Sequence, residues 1–165
     1  MPHAARPHMP GYGIEPADRG SGLLPWSWAV ERLERFRHAW VATVSDDGSP
    51  HVAAVWGVWH EGALHFSTGG ESRKGRNLAA RPACSIALDD AAESLVLQGA
   101  AVRVADPDTI ADVATVYEAK YGSGFPDDSP LFAVAPRVVI AVVEAEFTTT
   151  PTRWTFDDGI AAERT

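Results

Sequence analysis

Three cations crowd into one short segment of an otherwise acidic chain, Ser72-Arg73-Lys74-Gly75-Arg76-Asn77. The segment follows Gly69-Gly70, and Ser72 can cap a short helix. Backbone N–H groups at a helix N-terminus attract anions, and arginine and lysine add positive charge and donors. The helix dipole does not stabilise cations at this end of a helix, so a bound anion would explain their position. A solvated surface helix explains the same residues equally well, and the segment alone leaves both interpretations open.

Other catalytic patterns are absent from the sequence. His51, His60 and His65 lie in or beside predicted strands without the helical or carboxylate spacing of a metal site, so no metal is expected. Neither a Gly-x-Ser-x-Gly elbow nor a Gly-x-Gly-x-x-Gly loop occurs, which argues against a triad hydrolase and a Rossmann fold. The single cysteine, Cys84, excludes an intramolecular disulfide, and its apolar surroundings predict a buried structural thiol.

Composition narrows the classes of protein further. The chain has 165 residues, of which 45% are hydrophobic, and these values fit one packed domain. A formal net charge of −8 argues against nucleic-acid binding, which depends on basic surfaces. No apolar stretch is long enough to cross a bilayer, and no signal-peptide core is present. A reducing, cytoplasmic setting is therefore expected.

The elements that must position these residues are mostly short strands. A helix is predicted over 26–39, and two more over 73–80 and 107–121. The six predicted strands are 40–45, 51–59, 63–68, 83–88, 94–105 and 137–148. They indicate a mainly β fold, a closed or nearly closed antiparallel β-barrel with flanking helices. The predicted organisation is an arm without regular structure at 1–24, one domain at 25–157 and a tail at 158–165.

Six tryptophans are many for a chain of this length. Trp56 and Trp59 are three apart in one predicted strand, so they should face opposite sides. One could line a pocket and the other a dimer face, and core packing accounts for them equally well. The same holds for Trp154, beside which Arg153 offers an anion contact.

The order of these segments resembles the pyridoxamine 5′-phosphate oxidase-like family. The resemblance covers residues 26–156 and is carried by Ala42–Pro50, Phe66-Ser67-Thr68, Ser72-Arg73-Lys74 and Arg81-Pro82. That family includes flavin- and deazaflavin-dependent oxidoreductases. The resemblance implies a split β-barrel that forms a homodimer, with FMN or coenzyme F420 bound at the subunit interface.

The resemblance also implies the roles of individual residues. The cofactor's phosphate region would be held by Ser72, Arg73, Lys74, Arg76 and Asn77, with help from Ser67 and Thr68. The strand that ends at Val55 and Trp56 would lie along the ring system through its backbone groups, and Gln98 would contact the ring. Trp56 and Trp154 would shape an apolar substrate pocket.

Two departures from the family pattern limit the expected activity. Ala53 and Val58 stand where the true pyridoxamine-phosphate oxidases carry an arginine for the FMN phosphate and a substrate lysine, and the C-terminal Arg/His motif is missing. The expected function is therefore hydride transfer between F420 or FMN and a small organic substrate, rather than oxidation of pyridoxamine phosphate. A non-catalytic FMN- or F420-binding carrier or sensor is the alternative, because no catalytic side chain is expected in either case.

Overall fold

The structure is a computed structural model that describes residues 1–17, 22–126 and 128–157. In chain order its elements are β1 (His3–Ala5), α1 (Trp26–Arg35), β2 (Ala39–Val44), β3 (Pro50–Val55), β4 (Gly57–His60), β5 (Ala63–Ser67), α2 (Arg73–Ala80), β6 (Ala83–Leu88), β7 (Glu93–Arg103), α3 (Pro107–Tyr121), β8 (Leu131–Val143) and β9 (Thr152–Thr155). The predicted tail at 158–165 and part of the predicted arm lie outside the described residues.

The strands form one antiparallel sheet in the order β1-β9-β8-β7-β6-β2-β3, to which the β4–β5 hairpin is joined through β8. The first part of β8, Leu131–Val134, pairs with β5, whereas Val138–Ala141 pairs with β9. The sheet therefore splits along β8, and it does not close within the described ranges. This confirms the expected mainly antiparallel β fold of the split-barrel type with flanking helices, and only the expectation of a closed barrel is wrong.

The described sheet has nine strands where about six were predicted, for three reasons. The arm contributes β1, because its backbone finds a partner in β9. The predicted strand 51–59 breaks at Trp56, since β3 pairs with β2 and β4 pairs with β5. Gly57 permits this change of partner, because a Cβ there would lie 2.6 Å from the His65 carbonyl oxygen. The third additional strand is β9, which follows β8. β8 is the long strand predicted over 137–148, and it begins and ends earlier than predicted.

Local end signals specified two of the three helices. The Ser72 hydroxyl caps α2 by accepting from the Gly75 N–H at 3.0 Å. Asp106 caps α3, Pro107 occupies its first turn, and Gly122 ends it in the left-handed conformation at φ 74°. Within the described residues, no helix combines the length and apolar character needed to cross a membrane.

Candidate functional site

A polar cavity lies where the end of β2 meets the start of α2. Its volume is about 370 Å³, and its lining consists of Ser45, Asp46, Asp47, Arg73, Arg76 and Asn77. The lining comes from two segments roughly thirty residues apart in sequence, which the sheet brings together. Several hydrogen-bond donors thus converge beside a helix N-terminus, the arrangement that favours an anion.

Hydrogen bonds hold the two sides of the polar cavity in register. Arg73 Nε donates to Ser45 Oγ at 3.2 Å. The buried Asn77 amide donates to Thr43 Oγ1 at 3.0 Å and approaches Ser45 Oγ at 3.4 Å. Arg81 donates to the backbone carbonyl groups of Ser45 and Asp46. The end of β2 is therefore fixed relative to α2 by Arg73 and Asn77, which also line the cavity, and by Arg81, which lies outside its lining.

The acidic turn at the mouth of the polar cavity is partly satisfied by its own residues. The Asp47 carboxylate accepts from the Ser49 backbone N–H at 2.9 Å and from the Ser49 hydroxyl. These hydrogen bonds from Ser49 lower the pKa of Asp47, and nearby Arg73 lowers it further. The carboxylate is thus held ionised by the turn, and the guanidinium of Arg73 remains directed at Ser45.

Gly75 sets the distance between α2 and the loop before it. A Cβ at this position would lie 2.8 Å from the Gly70 carbonyl oxygen and closer still to that of Gly69. The Ser72 N–H donates to the same Gly69 carbonyl at 3.0 Å, and the Ser72 hydroxyl lies 3.2 Å from Thr68 Oγ1. The loop is therefore packed against the first turn of α2, which fixes the direction of that helix.

A larger cavity, here called the sheet cavity, continues from the polar cavity along β2. Its volume is about 610 Å³, and its lining is mostly apolar or small: Ala42, Thr43, Val44, Pro50, Ala83, Cys84, Ser85, Gln98, Gly99, Arg137, Val138, Arg153, Thr155 and Phe156. Thr43 and Val44 line the sheet cavity, and the next residue, Ser45, lines the polar one. Consecutive residues of β2 thus line two neighbouring cavities: a polar one with two arginines and two aspartates, and a larger one whose lining is mostly apolar or small.

The predicted site residues fall into two groups. Arg73, Arg76 and Asn77 line the polar cavity, and Gln98 lines the sheet cavity. Ser72 and Thr68 support the first turn of α2 through their hydroxyl groups. The structure thus brings these side chains to one region on the C-terminal side of β2.

Other predicted residues lie away from the described linings. Ser67 donates its hydroxyl to the Ser129 carbonyl at 3.3 Å. Lys74 is half-buried and lines neither cavity, and burial lowers the pKa of its ammonium group. Val55 is a buried core residue. These residues support the surrounding elements in the single chain.

The two tryptophans expected in a substrate pocket line neither cavity. Trp56 is 49% exposed and stacks on Tyr121, with the ring centroids 5.2 Å apart. Trp154 is 1% exposed and packs edge-on against Trp26 in the core. The side chain of Trp154 faces the opposite side of β9 from its neighbours Arg153 and Thr155, which do line the sheet cavity.

Sequence reasoning missed several lining residues. Thr43 and Ser45 join the site because β2 ends beside α2; they lie in the Ala42–Pro50 segment that carries the resemblance, but neither was assigned a role there. Arg137 and Arg153 lie on β8 and β9, far from the basic segment in sequence. Of these residues, Arg153 is the one that the sequence analysis predicts as an anion contact, because it lies beside Trp154.

Solved structures with this fold include proteins of different stated roles. The conserved hypothetical protein Rv2991 of Mycobacterium tuberculosis superposes with a TM-score of 0.68 at 19% identity, over 78% of this chain and 90% of that one. An F420 reductase superposes with a TM-score of 0.53 at 28% identity, over 66% of this chain and 93% of that one. HutZ, the heme storage protein of Vibrio cholerae, superposes with a TM-score of 0.54 at 22% identity, over 67% of this chain and 88% of that one.

The family assignment comes from the sequence match. No curated protein matches the chain. The model of the family described as pyridoxamine 5′-phosphate oxidase matches residues 29–149, which span β2 through β8 and include the whole polar cavity and the part of the sheet cavity that precedes β9. The match covers well over half of the sequence, so this chain belongs to the pyridoxamine 5′-phosphate oxidase family.

Proposed function

We propose that this protein binds FMN or coenzyme F420 by the cofactor's phosphate group and transfers a hydride between the cofactor and a small organic substrate. The observation that carries the proposal is the polar cavity at the start of α2, with its two arginines, adjoining a larger and more apolar one. The family match and the F420 reductase among the similar structures support it.

The donors of the polar cavity fit a phosphate group. Arg73 and Arg76 supply guanidinium forks, and Ser45 and Asn77 supply neutral hydrogen-bonding groups. The Ser72-capped N-terminus of α2 adds a favourable dipole. Asp46 and Asp47 lie in the same lining, and Ser49 takes up part of the hydrogen-bonding capacity of the Asp47 carboxylate. The two arginines and the neutral groups would hold the phosphate.

The sheet cavity fits the ring system. Its volume of about 610 Å³ lies within the ~300–1,000 Å³ range of small-molecule sites, and small or aliphatic side chains form much of its lining. Gln98 would orient the ring by hydrogen bonding. The bound cofactor would supply the hydride chemistry, and the residues around it would exclude water and fix its orientation.

The titratable groups of the sheet cavity do not favour acid–base catalysis. Burial raises the pKa of the Cys84 thiol to about 11, so this group stays protonated at neutral pH. Arginine does not deprotonate in proteins. The described lining includes no histidine and no carboxylate. A reaction carried by the cofactor suits these residues better than proton transfer by a side chain.

Heme is the other ligand named among the similar structures. Heme iron is commonly held by histidine or by a cysteine thiolate. Among the described lining residues of both cavities there is no histidine, and the protonated Cys84 is a poor axial ligand. A flavin or deazaflavin therefore fits this chain better than heme.

A homodimer would complete the site. The outer face of the β2–β3 hairpin exposes Trp40 (50%), Val44 (41%) and Val52 (55%). Val44 also lines the sheet cavity, so a second copy on this face would cover the cavity and exclude water from it. The chain is expected to sediment as a dimer and V52D as a monomer, because a buried unpaired carboxylate is costly. A monomeric wild-type protein would contradict this part of the proposal.

The test of cofactor binding is a parallel fluorescence titration of the purified protein with FMN and with F420. The wild-type protein should bind at least one of them, and R73A/R76A should bind it at least about tenfold more weakly, because two charge-assisted contacts are lost. The matched control is R103Q, since Arg103 is an exposed arginine on β7 that lines neither described cavity. Binding of neither cofactor, or equal affinities in R73A/R76A and R103Q, would refute the proposal.

A turnover assay distinguishes the proposed oxidoreductase from a non-catalytic carrier or sensor. When reduced FMN or F420 is supplied in excess together with menadione as acceptor, the protein should oxidise many equivalents of reduced cofactor, faster than the free cofactor reacts with menadione under the same conditions. A carrier or sensor would give a stoichiometric complex and no rate above that background.

A further inference from the structure

A row of three side chains along α2 contacts the end of β2. Arg73, Asn77 and Arg81 recur at every fourth residue, and residues at this spacing are neighbours along a helix. Arg73 donates to the Ser45 hydroxyl, Asn77 donates to the Thr43 hydroxyl, and both donors line the polar cavity. Arg81 caps the C-terminal end of α2 and lies outside that lining, so it is the member of the row that is not placed to contact a ligand there.

Arg81 binds the backbone of the chain where it leaves β2. Its guanidinium group donates to the carbonyl oxygen of Ser45 and, at 3.2 Å, to that of Asp46. Its own backbone N–H donates to the Asn77 carbonyl at 2.7 Å, which ties it to the last turn of α2. A planar guanidinium group holds two acceptors in one fixed geometry, whereas the ammonium group of lysine is a point charge on a flexible stem. The contact therefore depends on the shape of the arginine side chain as well as on its charge.

The turn that Arg81 holds forms one wall of the polar cavity. The Ser45 N–H donates to the Ser49 carbonyl at 2.9 Å, and the Gly48 N–H donates to the Ser45 carbonyl at 2.9 Å. Because these hydrogen bonds close the turn on itself, we expect it to shift as a unit. Ser45, Asp46 and Asp47 all belong to the cavity lining. The contact from Arg81 thus helps to set where these three side chains stand relative to the two arginines of the cavity.

We propose that Arg81 is a positioning residue for the phosphate end of the cofactor site, where it holds the turn over 45–49 against α2 without contacting the cofactor. The inference rests on the proposed function, since the polar cavity would hold the phosphate. The lining of the sheet cavity includes neither Arg81 nor any residue of this turn. Arg81 should therefore affect the binding of the phosphate and leave the binding of the ring system unchanged.

The experiment compares ligands that share a ring system and differ in the phosphate. FMN and riboflavin are titrated against full-length wild-type protein, R81K and R81Q, and binding is followed by the fluorescence of the ligand. F420 and the 8-hydroxy-5-deazaflavin that lacks its phosphate and acidic tail form a second pair. The wild-type protein should bind the phosphorylated member more tightly in at least one pair.

Both variants should reduce that preference at least about fivefold, because the turn is no longer held in one position, while the affinity for the phosphate-free member changes less than about twofold. The matched control is R103K, which makes the same exchange at an exposed arginine on β7 outside both described linings and should bind all four ligands as the wild type does.

The outcomes that would overturn the proposal differ from one another. A preference retained in R81K and lost in R81Q would show that the charge of the residue suffices without the fork, and a preference retained in both would show that Arg81 has no role at the site. A parallel loss of affinity for FMN and riboflavin would show that Arg81 stabilises the whole fold instead. Failure of the wild-type protein to bind FMN or F420, or to prefer the phosphorylated member of either pair, would refute the proposed function itself.

Folding of the variants is checked independently. Arg81 is exposed, so R81K and R81Q are expected to fold, and urea unfolding of each protein tests this. Should R81K not fold, R81Q decides the question, since it should also lose the preference for FMN and keep the affinity for riboflavin.

Discussion

The buried His65 should make the protein lose stability in mild acid. His65 lies in β5, is 4% exposed, and has no hydrogen-bond partner for Nδ1. It shares its face of the sheet with Val58, which packs against Val113 and Tyr117 of α3. Burial and, to a smaller extent, the neighbouring His60, whose ring centroid is 6.1 Å away, together lower the pKa of His65 from 6.5 to about 4.

The sign and size of the change in the free energy of unfolding follow from the linkage between folding and proton binding at His65. Between pH 6.5 and about 4 the unfolded chain binds a proton at His65 that the folded chain does not, so the free energy of unfolding falls as the pH falls. At about pH 5 the loss amounts to about 2 kcal/mol, and it levels off at about 3 kcal/mol once the folded form also takes up the proton. Near pH 7.5 the effect is negligible.

The variant His65→Leu removes the titrating group and the unpaired nitrogen together. Urea unfolding of both proteins at about pH 7.5 and about pH 5 should show a pH-dependent loss of stability that is smaller by about 2 kcal/mol in H65L than in the wild type. Other titrating groups are common to both proteins and cancel in the comparison. Parallel pH profiles for the two proteins would show that His65 is not held neutral by burial, and the reasoning would fail.

Two further predictions concern the polar cavity. Gly75→Ala should displace the Gly69–Gly70 loop, because its Cβ would meet the carbonyl oxygens there, and should weaken cofactor binding at least about tenfold in the fluorescence titration; an unchanged affinity would contradict the packing argument. Asn77→Ala should lower the free energy of unfolding by about 1–3 kcal/mol in urea, since Thr43 Oγ1 loses its buried donor; a change below about 0.5 kcal/mol would show that another group replaces it.

The features that the sequence predicted correctly depend on local chemistry. Ser72 and Asp106 sit at helix starts because their side chains accept from backbone N–H groups two or three residues on. Gly99 lies inside β7, where a glycine is a local sign of a bulge, and the register between β7 and β8 shifts there. Such signals need no knowledge of the rest of the chain.

The features that it missed depend on distant partners. β1 is a three-residue strand in a Pro/Gly-rich arm and exists because β9, about 150 residues later, offers an open edge. The predicted strand 51–59 breaks at Trp56 because its first half pairs with β2 and its second half pairs with β5. Both halves consist of residues that favour strands, so the local sequence does not mark the break. Ser45 belongs to the site for the same reason, since only the meeting of β2 with α2 brings it to Arg73.

The bulge at Arg137 connects the division of the sheet with the chemistry of the cavity. β8 pairs with β5 through Leu131–Val134 and with β9 through Val138–Ala141, and the bulge lies in the interval between these segments. Because a bulge bends its strand and increases its twist, it lets one strand serve two partners that diverge. The same irregularity directs Arg137 to the sheet cavity. The division of the sheet and the position of Arg137 in the cavity lining thus share one structural cause.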